Sequence, residues 1–265
     1  MTTLSVQPSA AVAQMRAARP LVHNITNYVV MGWTANVLLA AGAAPAMIHA
    51  EEEAGEFAAI ASALVVNIGT ISRPWLNGML AATSGANAAG KPWILDPVGG
   101  GATAFRREAV ATLLLEKPAV VRGNASEILA AAGSAATGRG VDAADEADAA
   151  VEACRSLAVR SGAVVVASGA VDVVTDGERL VRISNGTPML AGVTGTGCAA
   201  TALIGAFLGA GVPAFEAAAG GMALLGIAGE IAAEGSPGPG TFAVRLLDAL
   251  AATTPADIDG RLRLA

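Results

Sequence analysis

Short apolar runs with almost no charge recur along this chain, and most are followed by an alanine-rich stretch of helical length. Residues 44–48, 63–68, 93–95, 119–121 and 163–167 form the apolar runs. They are continuous rather than alternating, as strands covered on both faces of a parallel sheet must be. Residues 51–62, 75–89, 105–116, 125–132 and 142–160 read as helices, the last capped by Asp142 and stopped by Gly162. The pattern predicts an α/β fold with a mostly parallel central sheet and helices on both faces.

After residue 167 the pattern changes. Residues 171–175 and 179–183 flank Asp176-Gly177, a hairpin signal, which predicts an antiparallel edge. The last third reads as helices over 198–209, 215–233 and 241–250, broken by the Pro/Gly loop at 236–240. No linker separates two cores and no internal repeat is evident, so residues 1–265 are expected to form one domain.

Of the 265 residues 54% are hydrophobic and 14% charged, and the formal net charge is −6. An acidic chain is a poor match for nucleic acid. Any phosphate must then be held by backbone amides, a few placed cations and a metal. The two cysteines, Cys154 and Cys198, fit a reducing compartment better than a disulfide framework, which makes the cytoplasm the expected location. Mean hydropathy is +0.56. Yet the apolar run 198–212 is shorter than the roughly 20 residues of a spanning helix. Residues 1–20 lack a cationic start followed by an apolar run, so neither a membrane span nor a signal peptide is expected.

Residues 193–198 read Val-Thr-Gly-Thr-Gly-Cys and run straight into an apolar helix. The first N–H groups of a helix lack internal partners and sit at the positive end of its dipole. The glycines let an anion approach those amides. Gly195, Thr196, Gly197 and Cys198 thus form a candidate anion hole, and the field there favours a thiolate or a developing negative charge at Cys198. The alternative is a tight strand-to-helix turn with Cys198 as packing. The spacing is not that of a P-loop.

Ligands of open α/β sheets bind beyond the carboxyl ends of the strands. Three successive runs end in chemistry: Asp96 before Pro97 and three glycines, Arg122-Gly123-Asn124 with Glu127 following, and Ser168-Gly169. Asp96 suits a Mg²⁺-linked carboxylate, or a loop-bonding Asp. Arg122 offers a fork of donors for phosphate. Asn124 and Glu127 have the form of a capping box, with Glu127 or a water on it as a second metal contact in the functional reading. His23-Asn24-Ile25-Thr26-Asn27 is either a substrate loop or a helix start capped by Thr26 or Asn27. Met47 ends the first run, as core or as ligand contact. The two histidines give no zinc spacing and no hydrolase triad.

Taken in order, Pro20–Asn27, Asn67-Ile68-Gly69-Thr70, Leu95–Gly99, Arg122–Glu127 and Val193–Cys198 resemble the hydroxyethylthiazole kinase family, a branch of the ribokinase-like superfamily, over about residues 20–250. Cys198 stands where that superfamily usually carries Asp. The resemblance implies ATP-dependent phosphorylation of the primary hydroxyl of 4-methyl-5-(2-hydroxyethyl)thiazole, with Mg²⁺, in thiamine biosynthesis or salvage. It further implies a homotrimer with the thiazole pocket at the subunit interface. On that footing Met47, Gly195 and Asn27 contact the thiazole, Arg122 and Ser168 contact ATP, and Asp96 and Glu127 lie by the metal. Cys198 then accepts a proton or positions the substrate hydroxyl, without becoming a covalent nucleophile. Ser168 replaces the family's usual Thr but keeps the hydroxyl, and Gly99-Gly100-Gly101 is richer in glycine than usual. A kinase for a hydroxymethylpyrimidine-like alcohol, or a non-catalytic regulator on the same fold, are the alternatives.

Overall fold

The computed structural model describes residues 4–5, 7–133 and 143–264. Eight strands form one sheet in the order β2-β1-β3-β4-β5-β6-β7-β8. They are β1 (Leu21–Ile25), β2 (Ala44–Ala46), β3 (Ala63–Asn67), β4 (Trp93–Asp96), β5 (Val120–Asn124), β6 (Val164–Ser168), β7 (Asp172–Thr175) and β8 (Leu180–Ile183). The first six are parallel, and β7 and β8 add the antiparallel edge.

Alternate side chains of each strand enter two separate cores. Val22, Val65, Ile94, Val120 and Val166 face one core, and Ile25, Leu64, Leu95, Val121 and Val165 face the other. The first is covered by α1 (Pro8–Ala18) and α2 (Met31–Ala41). The second is covered by α3 (Glu51–Ile60), α4 (Arg73–Ala88), α5 (Ala104–Leu115), α6 (Ala125–Ala131) and α7 (Ala143–Ser161). Four later helices complete the first: α8 (Thr196–Gly209), α9 (Ala214–Ala233), α10 (Pro239–Ala252) and α11 (Pro255–Arg261). Both faces of the sheet are therefore dry, which is why its strands lack a polar alternation.

Small residues set the layer spacing. A Cβ on Gly205 of α8 would lie 2.7 Å from Val65 Cγ2, so only glycine lets this helix sit so close to β3. Among the described residues α9 is long and apolar enough to cross a membrane, yet most of it is buried against its neighbours.

The structure corrects the sequence reading at the amino-terminal side. Of residues 23–27, expected as a substrate loop or a helix start, the first three belong to the buried strand β1. The run 44–48 is only a three-residue edge strand, so Met47 lies just past β2 rather than at the end of a core strand. Helices α1 and α11 were not anticipated. Gly162 follows α7 with φ +72°, the left-handed stop expected of it. Asp142 lies outside the described residues.

Candidate active site

The carboxyl ends of β3, β4, β5 and β6 converge on the first turn of α8. Gly195 caps that helix with φ +89° and no side-chain cap. A Cβ there would lie 2.7 Å from Val30 Cγ1 and 3.0 Å from Trp33 Cδ1. Backbone conformation and space thus both demand glycine. The helical bonding of α8 opens with Ala199 N–H donating to the Gly195 carbonyl, which leaves the amides of Thr196, Gly197 and Cys198 facing outward. The Thr196 hydroxyl donates to the Leu190 carbonyl at 2.9 Å, so this residue offers its amide to the site rather than its side chain.

Arg122, near the end of β5, lies across that turn. Its Nη1 would be 2.8 Å from a Cβ on Gly197. Its Nη2 donates to Ser168 Oγ at 2.6 Å, while its buried Nε has no partner among the described residues. Amides, guanidinium and the Ser168 hydroxyl wall a cavity of about 500 Å³ that extends toward Asp172, Asn185 and Met222. Its lining adds the Asp172 carboxyl and the apolar side chains of Leu190, Met222 and Leu225 to these donors.

On the other side of Arg122 a buried polar chain runs from Thr201 to Asn27. Asp96 is fully buried, and its Oδ2 accepts from Thr201 Oγ1 at 2.8 Å and Asn67 Nδ2 at 2.9 Å. Its Oδ1 is buried without a partner among the described residues. Burial raises the Asp96 carboxyl to about 6, against the pull of Arg122. Asn67 Nδ2 also donates to Cys198 Sγ at 3.2 Å, as does Asn27 Nδ2 at 3.5 Å. Asn27 Nδ2 donates in addition to Asn67 Oδ1 at 2.9 Å.

The thiol departs from expectation. Burial, reinforced by the Asp96 charge, pushes Cys198 up to about 11. A helix terminus favours a thiolate only while the group stays partly solvated. Here burial wins, and the resting group at neutral pH is S–H. Cys154, on the buried face of α7, is also pushed up, to about 12, so it is inert packing.

Glu127 completes a capping box. Its Oε2 accepts from Asn124 N–H at 2.8 Å, Asn124 Oδ1 accepts from Glu127 N–H at 2.9 Å, and its Oε1 accepts from Gly99 N–H at 2.9 Å. The side chain therefore ties the loop after β4 to the junction of β5 and α6. Met47 is half-buried and follows directly on β2, whose Ala46 pairs with His23 of β1. His23, buried in β1, is bonded through Nε2 to the Ile48 carbonyl at 2.7 Å, and burial lowers its basicity. It fixes the segment carrying Met47 rather than acting in the site.

Two polar residues of the centre were given no role from sequence. Asn67 ends β3 as Asp96 ends β4, a signal that strand-end reading offers. Thr201 lies three residues past Cys198 on the same helix face.

The family model described as hydroxyethylthiazole kinase family matches residues 12–255. A hydroxyethylthiazole kinase of Cereibacter sphaeroides is 57% identical over 94% of this chain and 95% of its own length. The solved hydroxyethylthiazole kinase protein of Pyrococcus horikoshii OT3 superposes with a TM-score of 0.90 at 41% identity, covering 97% of this chain and 98% of that one. A ribokinase-like superfamily protein of Enterococcus faecalis V583, at 12% identity, shares the fold with a TM-score of 0.65 over 94% of this chain and 98% of its own. The family model and these likenesses run along almost the whole sequence, and the chain belongs to the hydroxyethylthiazole kinase family.

Proposed function

We propose that this chain transfers the γ-phosphoryl group of ATP to the primary hydroxyl of 4-methyl-5-(2-hydroxyethyl)thiazole, with Mg²⁺, as a step of thiamine biosynthesis or salvage. The observation that carries the reading is the single turn of α8. On it, outward-facing amides, the Arg122 guanidinium and the Cys198 thiol meet within one helix start. Phosphoryl transfer passes through a loose transition state, so placement and charge stabilisation dominate. The amides of residues 196–198 suit the transferring phosphoryl oxygens, and Arg122 with Ser168 suits the adjoining phosphates. The cavity bounded by Arg122, Ser168 and Met222 is the nucleotide site on this reading.

The unpartnered Oδ1 of Asp96 fits a hard cation that takes oxygen ligands, and Glu127 reaches the same region through a water. Mg²⁺ held by Asp96 and Glu127 would neutralise charge on the phosphates. Gly195 and Asn27 line the thiazole side, with Met47 on its outer wall. Cys198 positions the substrate hydroxyl: a thiol at about 11 is a poor resting base.

The thiazole side lies outside the 500 Å³ cavity. Tyr28 and Val29, next to Asn27, are 64% and 66% exposed. An apolar pair at an open site supports a second subunit as the missing wall, in a homotrimer. Two unpaired thiols and one kinase domain suit a cytoplasmic enzyme. Light scattering tests the assembly: a fully active monomer rules out an interfacial pocket.

Turnover with ATP, Mg²⁺ and the thiazole alcohol, beside the hydroxymethylpyrimidine alcohol, tests the reaction. The thiazole phosphate ester is the expected product. Preference for the pyrimidine, or thiazole binding without turnover, overturns it in favour of another vitamin-precursor kinase or a regulator.

A further inference from the structure

A cluster of side chains behind the cavity has no part in the chemistry above. Residues 184–187 leave β8 and form one wall of the cavity through Asn185, Gly186 and Thr187. Asn185 is 5% exposed, and its amide is already engaged. Its Nδ2 donates to the Arg261 carbonyl at 2.8 Å and to Glu230 Oε1 at 3.2 Å, and its Oδ1 accepts from Arg263 N–H at 2.8 Å. Asn185 therefore has no spare donor with which to read a base. Its place in the cavity is that of a wall held in position.

The holding groups come from distant parts of the chain. Glu230, on α9, accepts from Gly186 N–H at 2.8 Å and is paired with Arg263. Arg263 Nη2 also donates to the Ser184 carbonyl at 2.9 Å, and Ser184 N–H donates to the Arg263 carbonyl at 3.0 Å. Leu264 bridges to Ile183 in antiparallel fashion, so residues 263–264 extend the sheet edge beside the wall. The connector is seated on α9 as closely as glycine allows: a Cβ on Gly226 would lie 2.8 Å from the Asn185 carbonyl oxygen. From there the chain passes through the 3₁₀ turn Pro188–Gly192, whose Leu190 carbonyl accepts from Thr196 on the first turn of α8. Hydrogen bonds thus join Arg263 and Glu230 to residues 184–186 of the cavity wall, and the backbone itself carries on from there to the turn that holds Thr196.

We infer that Arg263 and Glu230 are positioning residues for the nucleotide: by clamping residues 184–187 they fix the cavity wall against which ATP binds, without touching the thiazole side. The inference rests on reading the cavity as the nucleotide site. Cys198, Asp96 and Asn27 do not line that cavity, and their hydrogen bonds do not involve the clamp. Loosening the clamp therefore separates the two substrates. Connected networks of this kind shift binding by modest factors, about three- to tenfold.

The test is ADP binding by calorimetry and steady-state kinetics on wild type, Arg263→Ala, Arg263→Lys and Glu230→Gln, at a temperature well below each variant's unfolding midpoint. Arg263 is about half-exposed, so alanine there leaves the core intact. Glu230→Gln keeps an acceptor for Gly186 N–H, which provides a second folded variant. Arg263→Ala and Glu230→Gln are each expected to raise the ADP Kd and the ATP KM by about three- to tenfold, with thiazole KM within twofold of wild type. Lysine, which retains the charge but not the fork, is expected to recover part of the loss. If both variants bind ADP as wild type does, or if thiazole KM rises in step, the clamp is ordinary stabilisation and the inference falls. A wild-type chain that binds no ADP overturns the reading of the cavity itself, a distinct result.

Discussion

Replacing Asp96 with Asn is expected to make the protein more stable and less active. The carboxyl is fully buried and raised from 3.8 to about 6. The sign follows from linkage. A folded-state pKa above the unfolded one means the folded chain binds this proton more tightly, so its contribution is complete below about 3.8 and is lost as pH rises through about 6. A shift of about two units corresponds to a penalty of about 3 kcal/mol at pH 7, at 1.36 kcal/mol per unit. Asparagine keeps an oxygen for Thr201 Oγ1 and Asn67 Nδ2 and removes the charge. For a chain of this length about 3 kcal/mol raises the midpoint by roughly 5 °C.

Thermal unfolding of both proteins in chelator, so that no cation favours the wild type, reads this directly. The gap in stability is expected to be widest above pH 7 and to shrink to under about 1 kcal/mol near pH 4, where the folded carboxyl is protonated and the unfolded one is only partly ionised. Turnover of Asp96→Asn is expected to fall by orders of magnitude. An Asn variant that is no more stable at pH 7.5, or a gap that ignores pH, refutes the argument that Asp96 is held charged at a cost to the fold.

Three further outcomes follow from the same geometry. Arg122→Ala is expected to weaken ADP by about ten- to a hundredfold, through loss of a charge-assisted hydrogen bond of about 1.5–3 kcal/mol. Thiazole affinity should be nearly unchanged, and calorimetry with each ligand decides. Gly195→Ala is expected to cost about 1–3 kcal/mol of stability, since a Cβ meets Val30 and Trp33 and φ is +89°. Denaturant unfolding measures it, and a neutral result means the turn differs in solution. Cys198→Ala is expected to lower kcat by up to about a hundredfold while ADP affinity holds, because the amides persist. A wild-type kcat in that variant removes the thiol from the mechanism.

The sheet was legible because its strands are dry on both faces. Runs such as Val164–Ser168 contain nothing that competes with a strand. β1 was not legible because His23 and Asn24 look like loop residues. His23 Nε2 is met by the Ile48 carbonyl and Asn24 Nδ2 by the strand's own Val22 carbonyl, contacts that no local pattern reveals. The site divides in the same way. Asp96, Arg122 and Ser168 end neighbouring parallel strands, so strand-end reading brings them together before any coordinates exist. Thr201 needs the phase of α8, which only the exact helix start supplies. The state of Cys198 is not legible locally, because the positive helix terminus is opposed by burial and by a carboxylate 102 positions away in sequence.

That reversal bears on how such a site handles a proton. Cys198 Sγ receives N–H donors from both Asn27 and Asn67, which occupy the lone pairs a base would use. Asn67 is itself fixed, because its Oδ1 accepts from Asn27 and from Gly69 N–H while its Nδ2 spans Asp96 and Cys198. No amide flip satisfies all four contacts, so the sulfur keeps its S–H turned away from these donors. On the proposed reading the thiol then meets the substrate hydroxyl as a donor or a close neighbour, orienting an oxygen lone pair toward phosphorus. A loose transition state tolerates this, since the alcohol keeps its proton until the new P–O bond is well advanced. What the site must supply is a fixed approach and a sink for negative charge. The first turn of α8 and Arg122 are built for both.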